Sequence, residues 1–238
     1  MLRKYIRDGQ FDKVEAYIEE HADFNALNGK GQCPFVYACF HGRTSIVKLF
    51  LDKNVDVNCT DAMGATGLHE ACYRGIAGLP EMLLKHGANI EAKDKDGDTP
   101  LVYAIDAHNS DMVKLLVERG ACVNSTNNYL MTPLLHACRS FRPEIVEILI
   151  NAGAIINCHD RFNTTPISLA CIYAFIMPFT ENTFNEIRRL LIRNGAILSD
   201  ADIEICLRKA NQANLDACRD ILELVRQDMD PREAIKRL

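Results

Sequence analysis

The chain has 238 residues, 32 acidic against 27 basic, and a formal net charge of −5. Neutralising phosphates takes a basic face, so this balance argues against a nucleic-acid backbone as the main partner. No apolar run approaches the roughly 20 residues of a membrane-spanning helix. The ten cysteines are spread along the chain rather than crowded into a small secreted framework, which points to free thiols in a reducing cytosol or nucleus.

In chain order, residues 1–24 read as an N-terminal capping unit. Met1 to Asp8 lacks a signal-peptide apolar region and already reads as helix. A second helix follows Gly9, with Phe11, Val14 and Ile18 on one face and charges on the other. A ladder then begins: Cys33-Pro34-Phe35-Val36-Tyr37-Ala38, Thr66-Gly67-Leu68-His69-Glu70-Ala71, Thr99-Pro100-Leu101-Val102-Tyr103-Ala104, Thr132-Pro133-Leu134-Leu135-His136-Ala137 and Thr165-Pro166-Ile167-Ser168-Leu169-Ala170. The alanines recur every 33 residues without slippage. A fixed period of that size means stacked supersecondary units. Each rung predicts a short helix, with Thr as cap and Pro in the first position, where its missing N–H costs nothing. Gly31, Gly64 and Gly97 suit a preceding turn that needs positive φ, and Leu130 stands in that column in the next unit. A second helix follows in each unit, as in Ile145-Val146-Glu147-Ile148-Leu149-Ile150, and stops at Gly87-Ala88, Gly120-Ala121 or Gly153-Ala154. Pro80 delays the second helix of its unit to about Leu79.

The repeats divide as 25–57, 58–90, 91–123, 124–156 and 157–198. The last carries about nine added residues around Ala174 to Asn182, since its Gly-Ala falls at 195–196. Two readings of that insertion stand: a longer first helix, or a protrusion that meets a partner. Residues 199–238 lose the Thr-Pro signature and read as a degenerate C-terminal capping unit that opens with Ser199 and Asp202 as a capping box. The alternatives to a cap are that the block docks a partner helix or joins a further domain.

Thr-Pro-Leu-x-x-Ala at a period of 33, with a Gly-Ala stop, resembles the ankyrin repeat family. The resemblance covers about residues 1–198. It implies an all-α fold, an ankyrin-repeat solenoid of stacked helix-turn-helix units with short β-hairpin-like turns, six to seven units forming one domain over 1–238. The sequence departs from the family at its histidine column. Only His69 occupies it; Val36, Val102, Leu135 and Ser168 fill it elsewhere.

Catalytic signatures are missing: there is no phosphate loop, dinucleotide fingerprint, zinc-protease helix or nucleophile elbow. Cys39, Cys72, Cys138 and Cys171 each follow a ladder alanine. The resemblance puts neighbouring repeats roughly 10 Å apart, too far for thiols that must all approach one zinc ion within about 2.3 Å, so these read as small buried hydrophobes. The expectation is no enzyme activity, no cofactor and no metal. Asn58, Asn124 and Asn157 stand where the family's asparagine can be hydroxylated by an intracellular dioxygenase; its ordinary role is to brace the turn.

Function in a repeat fold lives in the variable columns. The family binds through its turn tips and the outward ends of its first helices. That implies a concave groove for a protein partner and nominates Phe40, Met63, Tyr73, Arg74, Tyr129, Met131, Arg139, Phe162 and Tyr173. A monomeric, cytoplasmic scaffold, adaptor or inhibitor is the leading expectation, without nucleic-acid binding or membrane insertion. The rival is the targeting portion of a larger enzyme, ubiquitin-ligase adaptor or channel, or a pathogen effector that mimics a host scaffold.

Overall fold

The computed structural model describes residues 1–21, 26, 31, 33–176, 181–209 and 215–229. It is all-α, with no strand among the described residues, and divides into two compact units, Met1–Ala121 and Cys122–Leu238.

In the first unit, α1 (Leu2–Arg7) and α2 (Phe11–Glu20) are followed by α3 (Pro34–Phe40) with α4 (Thr44–Asp52), α5 (Gly67–Arg74) with α6 (Leu79–Lys85), and α7 (Pro100–Asp106) with α8 (Ser110–Glu118). First helices stack in the order α1, α3, α5, α7, and α2 lies on α4. The ladder explains the stacking. Ala38, Ala71 and Ala104 are fully buried where neighbouring helices approach, and Phe35, Leu68 and Leu101 fill the space beside them. Proline fixes the start of α6: Pro80 sits in its first turn, after Gly78 in the left-handed region.

The second unit repeats the plan with α9 (Pro133–Arg139), α10 (Pro143–Asn151), α11 (Pro166–Ile176), α12 (Glu181–Arg193), α13 (Asp200–Lys209) and α14 (Leu215–Met229). Helix α11 packs on α9 and α13, and α12 on α10 and α14. Here α11 has 11 residues where α9 has 7, and α12 has 13 where α10 has 9. The extra residues of this repeat therefore lengthen both of its helices; residues 177–180 of the insertion lie outside the described residues. At the start of α13, Ser199 N–H and Oγ–H both donate to Asp202 Oδ2 while Asp202 N–H donates to Ser199 Oγ. That is a capping box closed by Asp instead of Glu. The other carboxylate oxygen accepts from Thr165 Oγ and ties α13 to the preceding repeat.

The hairpin-like turns are short. Asp61 N–H donates to Ala65 O, Asp94 to Asp98 O, Asn127 to Met131 O and Asp160 to Thr164 O. Thr60 and Thr66 form an isolated antiparallel bridge. Each turn needs one residue at positive φ: Gly64 (80°), Gly97 (81°), Leu130 (59°) and Asn163 (59°). Leucine is poorly suited, since its Cβ crowds the following carbonyl at a cost of about 1–2 kcal/mol. Its side chain is 47% exposed, so little packing offsets that strain. Leu130→Gly should therefore stabilise the second unit by about 0.5–1 kcal/mol, after glycine's larger unfolded-state entropy is subtracted. A rise in the denaturant midpoint at unchanged m-value would register this; a fall would contradict it.

Candidate protein-binding faces

One column builds the turn tips. Asp61 Oδ1 accepts from Met63 N–H (2.8 Å) and Ala65 N–H (3.1 Å). Asp94 Oδ1 does the same for Asp96 and Asp98, Asn127 Oδ1 for Tyr129 and Met131, and Asp160 Oδ1 for Phe162 and Thr164. Side-chain acceptors that pin the backbone two and four residues on explain why Asp or Asn recurs there. Asp94 therefore has a structural job, and its second oxygen accepts from Tyr103 Oη at 2.9 Å. The signal was available at a period of 33. Asn28, one period earlier, lies outside the described residues, as do Lys30 and Gln32 of the same turn.

Pinned this way, Met63, Tyr129 and Phe162 stand at the tips, 58%, 37% and 66% exposed. Neighbouring tips are bonded through the backbone: Lys95 N–H donates to Met63 O (2.9 Å) and Arg161 N–H to Tyr129 O (3.0 Å).

In the first unit, Phe40 is half-buried beneath the Arg74 guanidinium, 4.9 Å from its ring centroid, with His41 edge-on. Tyr73 is exposed and meets Tyr103 edge-on, and Tyr103 in turn meets His69. Glu70, on the same helix as His69 and Tyr73, is half-buried and lines one pocket with Asp61. Burial first, and then the Asp61 charge, raise its pKa from 4.5 to about 7. The folded chain therefore holds a proton between those values that the unfolded chain releases. This contribution is fully present below about pH 4.5 and is lost as pH climbs through 7. Glu70→Gln should remove that loss, so its denaturant midpoint should exceed the wild type's at pH 8 and match it at pH 4.5. Parallel profiles would refute the assignment.

In the second unit, the Arg161 guanidinium lies 4.2 Å from the Tyr129 ring centroid and 4.8 Å from that of Phe162. Stacked between two exposed rings, it holds both in a fixed arrangement while its charge stays available. Arg139 is exposed and reaches Met131 Sδ at 4.0 Å and His136 Nδ1 at 3.3 Å. His136 is buried among Asn127 and Arg139, so it braces this face rather than a helix cap. Tyr173 is half-buried and packs edge-on against Phe141, 5.0 Å between centroids. Ile172, in the column that displays Tyr73 and Arg139 in other repeats, is buried. The sequence places Arg161 on this face with the two rings, and the structure adds that its guanidinium joins them.

The three asparagines make one repeated brace. Asn58 Nδ2 donates to Gly87 O and its Oδ1 accepts from Asn89 N–H. Asn124 links Gly153 O and Ile155 N–H in the same way, and Asn157 links Gly195 O and Ile197 N–H. Each side chain ties the end of a second helix back to the stretch that opens the same repeat.

The family model described as ankyrin repeats (3 copies) matches residues 2–94, 53–127 and 79–160. The chain belongs to the ankyrin repeat family. No curated protein matches it. Ankyrin repeats are in general protein–protein interaction modules and typically non-enzymatic. Among the described residues of this ankyrin-repeat chain, no three His, Cys, Asp or Glu side chains gather into a metal-sized group, and no helix is long and apolar enough to cross a membrane.

Proposed function

We propose that this ankyrin-repeat chain is a non-enzymatic binding module acting as a scaffold, adaptor or inhibitor, and that the second unit carries its principal contact in Tyr129, Arg161 and Phe162, flanked by Met131 and Arg139. The Arg161 stack supports this reading. Two exposed rings with a pre-positioned guanidinium between them supply rigid apolar area and a bidentate donor at little entropic cost, the chemistry of interface hot spots. The fitting partner segment is apolar with a carboxylate beside it. Phe40, Met63, Tyr73 and Arg74 offer a second aromatic and cationic set on the first unit, and Tyr173 is a supporting residue.

Affinity capture with the wild-type chain, a Tyr129→Ala/Arg139→Ala/Phe162→Ala variant and a Tyr73→Ala/Arg74→Ala variant tests the assignment. The triple variant is expected to lose the wild-type partner at least tenfold, and the double variant to lose less. Equal recovery by the triple variant and the wild type would remove the second unit's face from consideration. Family resemblance also supports hydroxylation of Asn58, Asn124 or Asn157 in cells. A one-oxygen mass increase on the peptide holding any of them would establish it, and unmodified peptides from cells rich in such dioxygenases would reject it.

A further inference from the structure

The column that holds Thr66, Thr99, Thr132 and Thr165 holds Cys33 in the first full repeat, where the thiol-bearing residue caps α3. Cys33 Sγ lies 2.9 Å from Cys59 Sγ in the turn of the next repeat. The stack dictates this contact: at the same two columns three repeats later, Thr132 Oγ lies 3.2 Å from Cys158 Sγ. Only in the earlier pair do both columns carry sulfur. Cys33 is buried and Cys59 partly exposed, so a small oxidant reaches the pair from the Cys59 side. An open pocket lined by Cys33, Val36, Tyr37, Phe40, Asp61 and Glu70 borders it.

We propose that Cys33 and Cys59 are a reversible dithiol–disulfide site, oxidised by hydrogen peroxide, whose disulfide staples the cap of α3 to the turn that carries Met63. An S–S bond of about 2.05 Å requires the sulfurs to close by less than about 1 Å. The Cys33 thiolate attacks one peroxide oxygen. The O–O bond breaks, leaving Cys33 as sulfenic acid and releasing hydroxide. Cys59 sulfur then attacks Cys33 sulfur, the S–S bond forms, the S–O bond breaks and a second hydroxide leaves. With the two thiol protons the hydroxides become two waters; the sulfurs lose two electrons and the peroxide gains them.

The surroundings favour this order. The Cys59 S–H donating to Cys33, together with the Val36 and Phe35 backbone N–H groups, lowers the Cys33 pKa to about 7. The same hydrogen bond pushes Cys59 up. It relaxes once Cys33 becomes an uncharged sulfenic acid, which frees Cys59 to resolve it. Burial pushes the Cys39, Cys72 and Cys138 thiols up, and Cys158 faces a hydroxyl instead of a second thiol.

The test is hydrogen peroxide treatment of the full chain, followed by alkylation and mass spectrometry. The expected product has lost two hydrogens and links tryptic fragments 31–43 and 54–74, with fragment ions placing the bond at Cys33 and Cys59 rather than Cys39 and Cys72. Dithiothreitol should reverse it, Cys33→Ser and Cys59→Ser should each abolish it, and exposed Cys122 should alkylate equally before and after. Thermal unfolding of the oxidised chain should shift upward by several degrees. Oxidation of Cys122 while Cys33 and Cys59 both stay alkylatable would overturn the proposal, as would a link that survives Cys59→Ser. Should a variant fail to fold, mapping the link in the wild-type chain alone separates the two outcomes.

Discussion

His69→Ala should destabilise the first unit by about 3 kcal/mol, the largest single-residue loss expected among its polar side chains. His69 is fully buried. Its Nδ1 accepts from Thr66 N–H at 3.1 Å, closing the cap of α5, and its Nε2–H donates to Asp98 O at 3.1 Å in the turn of the next repeat. The Thr66 bond fixes the tautomer, because an Nδ1 that accepts leaves the proton on Nε2. Alanine strands one buried N–H, weakens the partner of a part-buried carbonyl and opens a cavity. An unsatisfied buried group costs about 1–3 kcal/mol and the lost volume adds to it. Denaturant unfolding of the full chain measures the effect; a loss below about 1 kcal/mol would mean that water or a shifted turn replaces the ring. The pH profile gives a second readout. Burial lowers the His69 pKa from its ordinary 6.5, so below that value the unfolded chain binds a proton that the folded chain resists. Stability should fall with acid through this residue, opposite in sign to Glu70, and His69→Ala should flatten that part of the curve.

What the sequence made legible follows from how local each feature is. Helix starts at Thr-Pro, stops at Gly-Ala and the delayed α6 depend on chemistry within a few residues, and a single chain displays that directly. The capping box at Ser199 and Asp202 was readable for the same reason, although its bond to Thr165 in the preceding repeat was not. Contacts between repeats were readable only once two columns were compared in register. The Asp or Asn column at 61, 94, 127 and 160 repeats as regularly as the alanines, but its meaning lies in backbone N–H groups that a sequence does not rank. The bridging role of Arg161 was not readable because it depends on rings on two different turns, and the Cys33–Cys59 contact spans neighbouring repeats. Leu130 shows the limit in the other direction. The repeat geometry imposes positive φ on whatever residue stands in that column, and a leucine is held there against its own preference.

Gly67→Pro should destabilise the chain by about 1–2 kcal/mol, although it restores the pattern of the other four rungs. Pro34, Pro100, Pro133 and Pro166 all open their helices at this column, and proline there ordinarily stabilises by about 0.4–1 kcal/mol through the unfolded state. At Gly67, however, an added Cβ would lie 2.8 Å from Cys39 Sγ and 3.1 Å from Phe35 Cε1. Both neighbours are fully buried, and forcing extra atoms into such a site costs about 1–3 kcal/mol. The thiol alone does not exclude a proline, because Cys72 stands in the Cys39 column of the rung before Pro100, and α5 packs on α7 there. What differs is Phe35. Its column holds Leu68, Leu101, Leu134 and Ile167 in the other repeats, and its ring fills the space that proline would need, with Phe50 edge-on behind it at 6.1 Å. Glycine at 67 is thus the complement of phenylalanine at 35. Phe35→Leu alone should leave a cavity, and Phe35→Leu/Gly67→Pro should recover part of the loss, giving a favourable coupling of about 1–2 kcal/mol in a double-mutant cycle of denaturant midpoints. Additive effects, or a Gly67→Pro variant more stable than the wild type, would show that the two positions are independent.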